Sequence, residues 1–209
     1  MSVRLVVGIA ALMVLAGCAT SRSEVDVNVA SLSTSQAAAT SNGKKVLIST
    51  VDDRVFQIAP RSPDTPSLKN DEVNDKSITE RAIARKRNGY GKGLGDVLLP
   101  SGRTVSQLVN ESVAAAYKQA GYQVVTEPGT PDAVPVNVHI VEFWSWFTPG
   151  FFSVDVSNKA HLRIETPGAT ALNVVTRKNE SMQAVTESDW KKITEAGLQE
   201  VSRETLKQL

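Results

Sequence analysis

The stretch VNVHIVEFWSWFTPGFFSVDVSNKAHLRIE, residues 136–165, decides how this chain must fold. Two runs, Val136–Phe147 and Phe151–Glu165, flank Thr148-Pro149-Gly150, a turn signal between segments of β character, and read as a hairpin. Alternation sets Val136, Val138, Ile140, Val154, Val156, Leu162 and Ile164 on one face. His139, Lys159, His161, Arg163 and Glu165 fall on the other. One face is therefore packed and the other wet, the pattern of an antiparallel sheet covered on a single side.

Upstream, Thr104 opens an amphipathic helix. Val105, Leu108, Val109, Ser112, Val113, Ala116, Tyr117 and Ala120 recur at i, i+3, i+4, i+7 spacing. Thr104 and Gln107 have capping-box spacing, and Gly121 supplies the stop. Tyr122–Thr126 is a short strand, and Lys45–Val51 is a longer one ended by Asp52-Asp53-Arg54. Strand character returns over residues 171–184. A last helix follows Ser188 and turns Trp190, Ile193, Leu198 and Val201 inward. The expected fold is α+β: a mixed, mostly antiparallel sheet with two amphipathic helices packed on one face. The polar, Pro-, Asn- and Gly-rich residues 59–103 read as a long loop, with a short element over Ile78–Lys86.

The N-terminus has a different character. Arg4 precedes an unbroken apolar run to Leu15, followed by Leu15-Ala16-Gly17-Cys18. This is a secretory signal over residues 1–17, too short to span a bilayer. Cleavage between Gly17 and Cys18 would leave Cys18 as the lipidated first residue of the mature chain. The only cysteine among 209 residues lies where a lipobox requires a thiol. Acyl chains on Cys18 anchor a protein without a transmembrane helix, each buried CH₂ contributing about 0.8 kcal/mol. Residue 19 is Ala rather than the Asp of an inner-membrane retention signal, which favours the periplasmic face of the outer membrane. Residues 18–43 then form the lipidated cysteine and a flexible tether, in which Glu24–Val29 alternates like an edge strand. Residues 44–209 form a single domain.

Charge narrows the classes of function. Removing the leader removes Arg4, one of 23 basic residues, and leaves basic and acidic residues equal at 22. No overall field favours nucleic acid. Arg85-Lys86-Arg87 and the glycines of Asn88–Asp96 lack the Gly-Lys-Ser/Thr ending of a phosphate-binding loop. His139 and His161 have no partner at metal-ligand spacing, and Ser49, Ser101 and Ser153 have no nucleophile context. No catalytic set, metal or cofactor is expected.

Six of the eleven aromatics crowd the hairpin: Phe143, Trp144, Trp146, Phe147, Phe151 and Phe152. Two readings stand. Alternation places Trp144, Trp146 and Phe152 in the core, with Phe143, Phe147 and Phe151 on the wet face as a contact for a protein partner or membrane. Alternatively the whole cluster is core. If Trp144 and Trp146 line a closed pocket, the chain becomes a carrier or sensor of a small apolar or lipid ligand.

The lipobox, the strand ending Val51-Asp52-Asp53-Arg54, Ala120-Gly121-Tyr122, Asn88-Gly89-Tyr90-Gly91 within Ile83–Asp96, and Pro135-Val136-Asn137-Val138 together resemble the YajG-like bacterial lipoproteins. The likeness runs from about residue 40 onward. It implies a periplasm-facing lipoprotein and brings no catalytic residues. The working expectation is a non-catalytic accessory protein of the cell envelope, anchored by Cys18 and docking on an envelope protein.

Overall fold

The computed structural model describes residues 21–29, 40–150, 153–183 and 185–209. Residues 1–17, expected to be a leader, lie outside them, as do Cys18, Phe151 and Phe152. The described chain is α+β, with one eight-stranded mixed sheet and three helices. The strands are β1 (Ser23–Glu24), β2 (Lys45–Asp52), β3 (Ala82–Arg87), β4 (Gly93–Leu98), β5 (Gln123–Val125), β6 (Ala133–Pro149), β7 (Val154–Glu165) and β8 (Leu172–Met182). The helices are the short α1 (Lys76–Thr79), α2 (Val105–Gln119) and α3 (Glu187–Gln208).

The long strand β6 organises everything else. Its start pairs in parallel with β2, from Lys45↔Ala133 to Asp52↔Ile140. Further along the same side β3 takes over, at Ala84↔Ser145. The other side pairs with β7 along nearly its whole length, and β7 with β8, both antiparallel. The expected hairpin is thus the spine of the sheet.

Helix α2 forms as its sequence directs. Thr104 Oγ1 accepts from Gln107 N at 3.2 Å, and Gln107 Oε1 accepts from Thr104 N at 3.0 Å, closing both halves of the capping box. Val105, Leu108, Val109, Ser112, Val113, Ala116 and Tyr117 are buried, which is the expected face. Gly121 then adopts φ +88°, where its bare Cα lets the Thr40 carbonyl approach; a Cβ would sit 2.6 Å from that oxygen. Helix α3 packs beside α2, joined by the Ser112 hydroxyl donating to the Leu198 carbonyl at 2.5 Å, and it buries Trp190, Ile193, Leu198 and Val201.

Two expectations need correction. Residues 59–103 are not one long loop, because β3 and β4 lie within them and form a hairpin inside the sheet. The basic tail of β3 concealed this. Arg85, Lys86 and Arg87 keep their stems along the strand while their heads reach partners: Asp96 at 3.5 Å, the Ser21 carbonyl at 3.1 Å, and Ser67 Oγ at 2.6 Å. Nor are all of residues 18–43 a tether. Ser23 and Glu24 pair in parallel with Val97 and Leu98, and Val25, Val27 and Val29 are buried in the main core. The alternation of Glu24–Val29 is that of chain docked on the domain. Of that stretch only Glu24, with Ser23 before it, joins the ladder as a strand.

Candidate functional site

The aromatic hairpin was the leading candidate, and the structure redistributes it. At Ile140 the ladder runs Ile140↔Leu162 and then Glu142↔His161, so Val141 is an extra residue in β6. This β-bulge shifts the parity of every later side chain. Strict alternation would have put Phe143 on the wet face. After the bulge Phe143 follows Ile140 onto the helix-covered face and is 0% exposed. Phe147 is half-buried on that face, its ring 6.0 Å from that of Trp190. The wet-face placement of Phe143 and Phe147 is therefore wrong, and the displaced parity is the reason.

Trp144 and Trp146 emerge on the opposite face, where a second small core receives them. Leu68, Ala82 and Leu98 are buried with them, and Phe56, Val73 and Ile78 pack alongside. Phe56 meets Trp144 edge-on at 5.9 Å, Trp144 Nε1 donates to the Pro63 carbonyl at 3.3 Å, and the Arg177 guanidinium lies 5.0 Å from the Trp146 ring centre. The two indoles are buried against these side chains. The four described aromatics are framework. Phe151, Phe152 and Cys18, the expected lipidation residue, fall outside the described residues.

Arg54, the last residue of the Asp52-Asp53-Arg54 stop, belongs to this framework too. It sits where β2 leaves β6 and β3 replaces it, a junction that strands carbonyl groups. Its Nη1 donates to Ala82 O at 2.7 Å and Phe143 O at 3.1 Å, and its Nη2 to Thr79 O at 2.8 Å. Asp52 grips it through both oxygens, at 2.8 and 2.7 Å. With its side chain fully buried, Arg54 has its donors occupied and serves the backbone rather than a ligand.

A cleft of about 490 Å³ opens beside this junction, lined by Arg54, Phe56, Lys76, Thr79, Glu80 and Ser106 among others. A shallower groove of about 250 Å³ continues from Ser106 along the start of α2. Neither pairs a nucleophile with a base. His139 Nδ1 lies 2.6 Å from Asp53 Oδ2 at the end of β2, a partner that sequence spacing did not reveal. Among the described residues no three His, Cys, Asp or Glu side chains are placed to hold a metal. Among them, too, no helix is long and apolar enough to cross a membrane.

What remains is the uncovered half of the sheet. Opposite the helices, β2, β6, β7 and β8 present Val51, His139, Val141, His161 and Val175 in a row. Register places Val51 beside His139, Glu142 beside His161, and His161 beside Val175. Val51 is 49% exposed, Val141 40% and Val175 65%, and Val55, just beyond Asp53, is 76%. Single exposed valines are ordinary, but three of them on β2, β6 and β8 make a broken apolar stripe, interleaved with His139 and with His161 of β7 and edged by Arg163. Sequence alternation identified this face as wet. The valines passed unnoticed because β-branched residues are common on any strand.

No family model matches this chain, and no curated protein does. Among solved structures, an uncharacterised protein aligns over 90% of this chain and 97% of its own, at 11% identity and a TM-score of 0.47. A structure described as a "putative neuraminyllactose-binding hemagglutinin homolog from Helicobacter pylori" aligns over 84% of this chain and 90% of its own, at 11% identity and a TM-score of 0.32. Likenesses this distant carry no functional argument.

Proposed function

We propose that this chain is a YajG-like, lipid-anchored accessory protein of the bacterial envelope, held by Cys18 at the periplasmic face of the outer membrane. It works without catalysis, by docking on an envelope protein through the open face of its sheet. The observation that carries this reading is the apolar stripe Val51–Val141–Val175 across an otherwise polar face, with the aromatic side chains of the same hairpin withdrawn into the framework. The lipobox sequence supports the anchor, and the absence of a nucleophile–base pair in either cleft suits a binding role.

The test is in-cell photocrosslinking from position 175, compared with position 169 in the exposed β7–β8 turn. The expected result is one dominant protein adduct from position 175, absent from position 169. Val175→Asp in the full chain should abolish that adduct from a photoreactive residue at position 161. Folding should be unchanged, since an exposed substitution shifts stability by about 0.5 kcal/mol or less. Identical adduct patterns from positions 175 and 169 would remove the open face from consideration.

A further inference from the structure

The anchor proposed at Cys18 sits close to the sheet in sequence, because the chain from Ser21 onward is fixed there. The Ser21 carbonyl lies so near Gly95 that a Cβ there would be 2.4 Å from it, and Lys86 Nζ donates to the same oxygen at 3.1 Å. Arg22 bridges Glu72 at 2.8 Å and Asp96 at 2.9 Å, and Glu24 pairs with Arg81. Gly95 is thus needed for close approach rather than for a turn.

The direction of β1 is what matters. It runs parallel to β4, so going back along the chain from Ser23 to Ser21 leads from Val97 toward Gly95, in the direction of the β3–β4 turn. Cys18 is three residues before Ser21, a reach of about 10 Å at full extension. An acylated Cys18 therefore holds this end of the sheet, and no other, against the bilayer.

That end is built to meet such a surface. In the turn, Asn88 accepts through Oδ1 from Tyr90 N at 3.0 Å and Lys92 N at 2.9 Å, and its own N donates to Lys92 O at 3.0 Å. Arg87 Nη1 braces it from the side, donating to Gly91 O at 2.8 Å. The result is a self-bonded turn that holds the Tyr90 side chain 98% exposed. Between Glu80 and Asp96 the chain carries no carboxylate; Arg81, Arg85, Lys86 and Arg87 are turned to partners of the domain, and Lys92 is exposed in the turn beside Tyr90. Because Ala84 is level with Ser145, the exposed Thr148-Pro149-Gly150 tip of the β6–β7 hairpin rises at the same end. An exposed amphipathic ring beside an exposed lysine is a pairing that settles at a phospholipid interface.

We infer that the Asn88–Lys92 turn is a second membrane contact: Tyr90 enters the phospholipid headgroup layer and Lys92 faces the lipid phosphates, beside the point where the anchored chain joins the sheet. The inference rests on Cys18 being the anchor for its orientation, while the turn's own chemistry can be read separately. The contact stands the sheet end-on to the bilayer, and the stripe on its open face then points sideways into the periplasm.

The experiment places a photoreactive benzoylphenylalanine at position 90 of the full chain in its native membrane, and in a second strain at position 169, at the opposite end of β7. Adducts are identified by mass, and the mass of the Cys18 peptide is measured in the same samples. Phospholipid adducts at least tenfold more abundant from position 90 than from position 169 are expected. Equal yields, or protein adducts in place of lipid at position 90, overturn the inference even when Cys18 is acylated. Lipid capture at position 90 by a chain with an unmodified Cys18 would instead uphold the turn contact and remove the anchor.

Discussion

The two halves of β6 live in different surroundings. From Ala133 to Ile140 the strand is packed on one face and bare on the other; Val136, Val138 and Ile140 are buried, and His139 and Val141 look outward. From Phe143 to Trp146 every residue is buried, with Phe143 among the helices and Trp144 and Trp146 beneath the residues that precede β3. One inserted residue, Val141, separates the two regimes. The lesson is that alternation reports which side chains share a face only as far as the next bulge. Beyond it the identities of the faces exchange, and an aromatic read as a docking residue becomes part of the core.

The sharpest way to break this comparison is to truncate the bulge residue itself and the first core aromatic beyond it. Phe143→Ala should lower the unfolding free energy by about 3–5 kcal/mol, the range for a large aromatic lost from a closed core. Val141→Ala, two residues away, should change it by about 0.5 kcal/mol or less. Denaturant unfolding of the two variants checks both values. Similar losses would mean that the bulge does not separate packed from open strand.

A smaller effect sharpens the contrast from the helix that covers the packed face. Asp189, in the first turn of α3, is drawn upward by burial. Hydrogen bonds from the Thr186 hydroxyl at 2.6 Å and the Thr186 N–H at 2.8 Å, with Lys192 nearby, outweigh that and hold its carboxyl below the ordinary value. A depressed carboxylate stabilises the fold fully above its unfolded pKa, and that stability is lost as pH falls through the folded value. Asp189→Asn should therefore cost about 1 kcal/mol near neutrality, the usual worth of a helix cap, with the difference shrinking toward zero in acid. Thermal unfolding of both forms across the acidic range measures it. A difference independent of pH would assign the loss to packing instead.

What was legible in the sequence follows the same physics. Helix α2 could be read to its caps because its periodicity, its Thr104–Gln107 box and its Gly121 stop agree and are all local. The α+β class and the packed and wet faces of the early hairpin were equally legible. Strand β3 was legible only as a short element over Ile78–Lys86 and not as a strand, since its second half is basic and its partners Asp96, Ser21 and Ser67 are remote in sequence. The junction role of Arg54 could not be read either, because the carbonyls it serves belong to Thr79, Ala82 and Phe143. The candidate surface was half legible. Alternation found the open face, but only the strand register places Val51 and Val175 on it, and only the bulge turns Val141 out beside them.

Sheet face, docked N-terminal segment and exposed turn form one arrangement only if the chain is held at Cys18. The most direct measurement is the intact mass of the protein purified from its native membrane. The expected chain begins at Cys18 and carries the mass of a diacylglyceryl group. A mature chain that retains Met1–Gly17, or one whose Cys18 is a free thiol, would contradict it.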